Sequence, residues 1–218
     1  MAGTVDAVGL GEQVVAEALA SVPEGALPLF QDGGPFELGA ATVRGATLPV
    51  FATAPDTLGG IYSRASSYSD DCFFVYEDER YSFGDALNKA DQVAAGLRAR
   101  GSQQGDRVGI AMRNYPEWIW SFMGITTVGC VAVALNAWWT GEELKYAIED
   151  SGLTKLFLDR ERFEHLAPYL EELDLDIIVV RSDQLSVPGA TQWGDFMASA
   201  DLAQAEPSLG PVQPDDPA

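Results

Sequence analysis

Apolar positions along this chain follow two spacings, and over residues 106–152 those spacings alternate as strand, helix, strand, helix. The segment reads DRVGIAMRNYPEWIWSFMGITTVGCVAVALNAWWTGEELKYAIEDSG. Behind a Gln-Gly-Asp turn, residues 107–112 form a short, mostly apolar run, the pattern of a strand buried on both faces. Asn114 with Glu117 three residues on predicts a capped helix, with Pro116 in its first turn. That helix runs through Trp118, Ile119, Phe122, Met123 and Ile125 until Gly129. Residues 130–135 predict a second strand. Thr140 with Glu143 is a capping box for a second helix, whose apolar face is Leu144, Ala147 and Ile148 and whose stop is Gly152. Strands apolar on both faces and separated by helices predict an α/β fold: a doubly wound, mostly parallel sheet flanked by helices.

The same reading extends both ways. Leu10, Val14, Val15, Ala18 and Leu19 share one face of a weak helix, and residues 23–55, rich in Gly and Pro, predict an extended arm rather than a domain. Helical spacing resumes at Thr57 and closes at Asp70-Asp71. Residues 72–76 and 81–83 predict a hairpin joined by residues 77–80. Ser82 with Asp85 caps a helix through Leu87, Ala90, Val93, Ala94 and Leu97 that ends at Gly101. Downstream come a strand at 153–158, a helix with Phe163, Leu166, Ala167, Leu170 and Leu173 on one side, a strand at 177–180 and a short helix at 193–197. Residues 207–218 hold four prolines and no periodicity. The expected organisation is an N-terminal arm with one weak helix (1–56), an α/β subdomain (57–200), and a Pro-rich acidic linker (201–218) leading to a missing C-terminal portion.

Charge narrows the partners. The formal net charge is −20, and all 13 Lys and Arg lie between Arg44 and Arg181, so both flanks are purely acidic. Such a body repels phosphate backbones and anionic lipid, which argues against nucleic acid. Cys72 and Cys130 have no pairing or metal spacing and suit a reducing cytoplasm, with peripheral association with a membrane as the alternative placement. Asp6, Glu12 and Glu17, with no basic run, predict no signal peptide. Residues 118–141 carry no charge and are long enough to span a bilayer. Gly129, Val131, Val133, Ser121, Thr126 and Thr127 instead predict a buried helix followed by a buried strand, so no transmembrane span is expected.

The residues that carry chemistry are few. Neither turn after the two central strands, Arg113-Asn114-Tyr115 or Asn136-Ala137-Trp138-Trp139, has the glycines a dinucleotide site needs. The only lysines, Lys89, Lys145 and Lys155, are not beside a glycine-rich turn, so no phosphate loop is present. His165 is the sole histidine, on an amphipathic helix, which excludes zinc sites and Ser-His-Asp machinery. No catalytic and no metal residue is assigned. Two binding candidates remain. Trp138 and Trp139 occupy a loop at a strand's carboxyl end, where open α/β sheets place ligands, although both could pack under the next helix. Arg160 and Arg162, with Lys155, form a local basic cluster that suits a phosphate or is a solvated helix start partnered by Glu161.

Five motifs in order resemble the adenylate-forming acyl-CoA synthetases: Tyr81-Ser82-Phe83-Gly84-Asp85-Ala86-Leu87, Gly105-Asp106-Arg107-Val108, Arg113-Asn114-Tyr115-Pro116-Glu117-Trp118, the run from Val128 to Asn136, and that from Thr140 to Gly152. Gly34-Pro35-Phe36-Glu37, Val43-Arg44-Gly45 and Ala54-Pro55-Asp56-Thr57-Leu58 resemble the N-terminal arm of the long-chain fatty-acid–CoA ligase branch. The resemblance covers residues 34–200. It implies a reaction in which a fatty or other carboxylic acid attacks the α-phosphate of ATP, with Mg²⁺, and the acyl-adenylate is then transferred to coenzyme A. It also implies that the phosphate loop, the magnesium and ribose carboxylates and the catalytic lysine lie beyond this sequence. The chain by itself is then expected to be inactive and to bind none of these cofactors tightly. By the same resemblance Trp138, Trp139, Arg160 and Arg162 would border the mouth of the coenzyme A channel. The alternatives are a non-catalytic α/β binding module, or one half of a split ligase completed by a separate chain.

Overall fold

Among the described residues antiparallel pairing is confined to two small hairpins, and one parallel sheet organises the larger part of the fold. In this computed structural model the described residues are 7–182, 187–200, 212–213 and 216–218, and the chain divides into two units, Met1–Asp56 and Thr57–Ala218. Most of the linker expected over 201–218 lies outside the described residues.

In the first unit, α1 (Ala7–Ala20) is followed by a 3-10 turn, the short α2 (Leu27–Phe30) and a hairpin of β1 (Leu38–Val43) and β2 (Ala46–Phe51). The stretch read as an extended arm therefore contains paired strands. The turn is made by Arg44 and Gly45, both at positive φ (49° and 83°), which matches the twist of a two-residue hairpin loop. Phe36 packs between Phe30 and Phe51 at centroid distances of 5.8 and 6.0 Å. These ring contacts bridge a turn and a hairpin rather than positions at helix or strand spacing, so periodicity did not report them.

The second unit opens with α3 (Leu58–Ala65), capped by Thr57, and the hairpin β3 (Cys72–Tyr76) and β4 (Glu79–Ser82). The reversal is tighter than expected: β4 begins at Glu79 because Glu77 takes the left-handed conformation (φ 52°), and Phe83 already belongs to the next helix. That helix, α4 (Phe83–Ala99), starts on a full capping box of Ser82 and Asp85. Then follow β5 (Arg107–Ala111), α5 (Pro116–Thr127), β6 (Val131–Ala134), α6 (Gly141–Ser151), β7 (Lys155–Asp159), α7 (Arg160–Leu166), β8 (Asp176–Val180), β9 (Thr191–Gln192) and α8 (Trp193–Ala198). The capping pair predicted at Asn114 does not form. Tyr115 is the N-cap residue of α5 with no side-chain cap, and the Glu117 carboxylate is engaged by Arg181 instead. The helix expected through Leu173 breaks into α7 and a 3-10 segment, Ala167–Glu172, with Pro168 in that segment's first turn.

The main sheet runs β6-β5-β7-β8-β9, all parallel. Alternation divides its side chains between two buried layers. Val108, Ile110, Phe157, Ile178 and Val180 face α4, α5 and α8; Ala111, Leu156, Leu158, Ile177 and Val179 face α6 and α7. Burial on both faces is why these strands read as continuous apolar runs. From β5 the chain moves outward to β6 through α5, then returns through α6 to β7 on the other side of β5. The topological switch therefore lies between the carboxyl ends of β5 and β7, where open α/β sheets form their ligand crevices.

Candidate functional site

Three loops meet at that switch and one buried ion pair ties them together. Asp159 ends β7 and caps α7, its carboxylate accepting from the Arg162 backbone N–H at 3.0 Å. It also accepts from the Arg113 backbone N–H of the β5 loop at 3.0 Å. The Arg162 guanidinium lies 3.2 and 3.0 Å from the two Asp159 oxygens, 2.9 Å from Glu161, and donates through Nε to the Ala137 carbonyl of the β6 loop at 2.6 Å. Arg162 is 1% exposed and Asp159 3%. Two charges this deep are tolerable because each is paired and hydrogen-bonded.

Above the pair is an open pocket of about 440 Å³ with Tyr76, Arg113, Asn114, Tyr115, Trp138 and Glu161 on its walls. Asn136 Oδ1 accepts from the Trp138 backbone N–H at 2.9 Å and turns the loop outward, so that Trp138 is 72% exposed. The Arg113 guanidinium covers the Trp138 ring at 3.9 Å. Arg181, left-handed at φ 52°, braces the opposite wall: it bonds Glu79 at 3.1 and 3.0 Å and Glu117 at 3.0 Å, beneath the Tyr76 and Tyr115 rings. Hydrogen bonds from Arg181 and Tyr81 hold the Glu79 carboxyl below the usual carboxylate range, and burial with the adjacent Glu79 pushes Tyr81 up to about 12. The pocket offers aromatic faces and one guanidinium, that of Arg113, beside the Glu161 carboxylate, which suits a planar ligand. Among the described residues no group of three or more His, Cys, Asp or Glu could hold a metal ion.

The four residues singled out from sequence part company. Trp138 is in the pocket. Trp139 turns the other way and packs against the core beneath α6. Arg160 is exposed and pairs with Glu164 at 2.6 Å, while Arg162 is buried in the ion pair below. The basic cluster with Lys155 is not assembled, because Lys155 begins β7 and the arginines follow its end. Sequence reading passed over Asp159, Arg113, Tyr76 and Tyr115. The spacing of Asp159 and Arg162, cap and third helical residue, was the available signal for the first; the tyrosines are brought in by separate elements and gave none.

Known proteins are similar to parts of this chain. It is 38% identical over 105 residues to an acyl-CoA ligase, sidI, of Aspergillus fumigatus, covering 47% of this chain and 18% of that protein. It is 33% identical over 109 residues to a medium/long-chain-fatty-acid–CoA ligase of Mycobacterium tuberculosis, covering 49% of this chain and again 18% of the relative. Among solved structures, an anthranilate–CoA ligase in complex with anthranoyl-AMP superposes with a TM-score of 0.63 at 23% identity, over 68% of this chain and 29% of that one. A putative long-chain-fatty-acid–CoA ligase from Rhodopseudomonas palustris gives 0.58 at 22% identity, over 64% of this chain and 36% of its own. These structural likenesses establish a shared fold, and the chain spans only a fraction of each relative's length. The family model described as AMP-binding enzyme matches residues 61–218, most of the chain, and the protein therefore belongs to the AMP-binding enzyme family.

Proposed function

We propose that this chain is the N-terminal portion of an acid–thiol ligase. The whole enzyme would activate a fatty or other carboxylic acid with ATP to an acyl-adenylate and transfer it to coenzyme A. The reading rests on the family match over residues 61–218, together with relatives that are acyl-CoA ligases. In that enzyme the switch-point loops would border the coenzyme A mouth, bounded by Trp138, Trp139, Arg160 and Arg162. Trp138 would offer a ring face and Arg160 a guanidinium exchangeable from Glu164 to phosphate. Arg162 would act from beneath by fixing the Ala137 carbonyl, and Trp139 by anchoring the loop to the core.

Alone, the chain is expected to show no ATP–pyrophosphate exchange, since the positioning and charge neutralisation that phosphoryl chemistry requires would come from the remainder of the enzyme. The decisive experiment replaces the matching segment of the Mycobacterium tuberculosis ligase with residues 57–200 of this chain. Acyl-CoA formation by the folded chimera is expected. A folded chimera that binds fatty acid and ATP but makes no acyl-CoA would overturn the reading. In an active chimera, Arg160→Ala with Trp138→Ala is expected to raise the coenzyme A KM and leave the adenylation rate unchanged.

A further inference from the structure

The turn out of β8 redirects one side chain across the end of the sheet. Alternation along β8 sends Ile177 and Val179 toward α6 and α7, and position 181 would follow them. Arg181 instead takes φ 52°, a left-handed conformation that a residue with a side chain seldom adopts. Its guanidinium thereby reaches the other side, where α5 and the β3–β4 hairpin pack, and grips both. Nε donates to Glu117, 7% exposed in the first turn of α5, while the two Nη groups donate to the two Glu79 oxygens. Each grip places one ring of the pocket wall. Glu79 stands directly opposite Tyr76 in the hairpin register. Tyr115 is the N-cap residue of α5 without a side-chain cap, so Arg181 on Glu117 fixes the helix start that carries it. The two rings meet edge to face at 5.8 Å and 81°, and the guanidinium carbon lies 4.8 and 5.0 Å from their centroids. Arg181 itself does not line the pocket, and two carboxylates already balance its charge. It is therefore placed to hold the wall rather than to take an anion.

We propose, on the reading that this pocket borders the coenzyme A mouth, that Arg181 is a positioning residue for coenzyme A. Its fork holds Tyr76 and Tyr115 as a preformed wall facing Trp138, so that the planar part of the ligand stacks without first ordering the rings. Preorganisation of this kind lowers the cost of binding. The role depends on shape and not on charge alone. A lysine would supply a point cation, but it could neither bond both Glu79 oxygens while holding Glu117 nor lie flat against two rings.

The test titrates coenzyme A into the full 218-residue chain and reads saturation transfer to the adenine protons by NMR, in about 0.2 M NaCl to screen the acidic body. Saturable transfer that disappears in Trp138→Ala is expected, with a Kd on the order of 1 mM, the scale of weak specific binding. Arg181→Lys keeps a cation beside the buried Glu117 and should keep the thermal midpoint. It should nevertheless raise Kd roughly tenfold, because two rings are then ordered only on binding. Glu79→Gln, which leaves the Glu117 pair intact, should raise Kd in the same direction. Wild-type affinity in Arg181→Lys would overturn the proposal and leave the pocket's assignment standing. So would a rise in Kd seen only in variants whose midpoint has fallen, which would make Arg181 a strut and nothing more. Absence of transfer to the unaltered chain up to about 10 mM, or transfer that survives Trp138→Ala, would overturn the pocket's assignment and the proposal together.

Discussion

Arg162 shows how much can depend on one side chain. Replaced by alanine, it would leave the Asp159 carboxylate buried without its cation and free the Ala137 carbonyl. Breaking one partner of a buried pair costs about 3–5 kcal/mol, so Arg162→Ala is expected to lower the unfolding free energy by that much, read as a fall in urea midpoint at unchanged m. Removing Asp159 as well should cost less than the two single losses added, which a double-mutant cycle measures. The cysteines make a second residue-scale contrast. Cys72 is exposed, whereas Cys130 is buried against the Gln103 carbonyl, and burial pushes its thiol up to about 11. One thiol is therefore expected to react with a disulfide reagent at neutral pH in the native protein and two in denaturant; two reactive native thiols would contradict the packing.

At the scale of elements, helix contacts and caps decide stability. Gly124 in α5 faces α4 so closely that an added methyl would lie 2.6 Å from Val93 Cβ and 2.8 Å from the Ala90 carbonyl oxygen. Alanine's better helix propensity is worth about 1 kcal/mol, but overpacking costs about 1–3 kcal/mol, so Gly124→Ala should lower the thermal midpoint. Gly9→Ala in α1, with nothing within 4 Å, should not. At the start of α6, hydrogen bonds from the Thr140 backbone and hydroxyl hold the Glu143 carboxyl below its ordinary value of 4.5. A depressed carboxylate contributes stability above its unfolded pKa and loses it as pH falls through the native one. The acid limb below about pH 4.5 is thus expected to flatten in Glu143→Gln, which keeps a capping acceptor but does not titrate. These caps were legible in the sequence because their partners are three residues apart. The cap predicted at Asn114 failed for the opposite reason: Glu117 found a partner 64 residues away in Arg181.

At the scale of the whole molecule, a net charge of −20 opposes folding through self-repulsion, and salt screens it. The thermal midpoint is expected to rise between about 10 and 200 mM NaCl, as the Debye length falls from about 30 Å to below 10 Å. Among the described residues no helix is long and apolar enough to cross a membrane, and the uncharged run at 118–141 is divided between α5 and β6. Local spacing alone determined the alternation of strands and helices, two of the caps and the burial of the sheet on both faces, because periodicity and capping are properties of neighbours within a turn or two. The strand order β6-β5-β7, and with it the place of the switch, was decided only in three dimensions. So were the parting of Trp138 from Trp139 and the disappearance of Arg162 beneath the site it was expected to line. Those outcomes depend on which distant groups compete for one carboxylate or one core, and that competition is settled by packing.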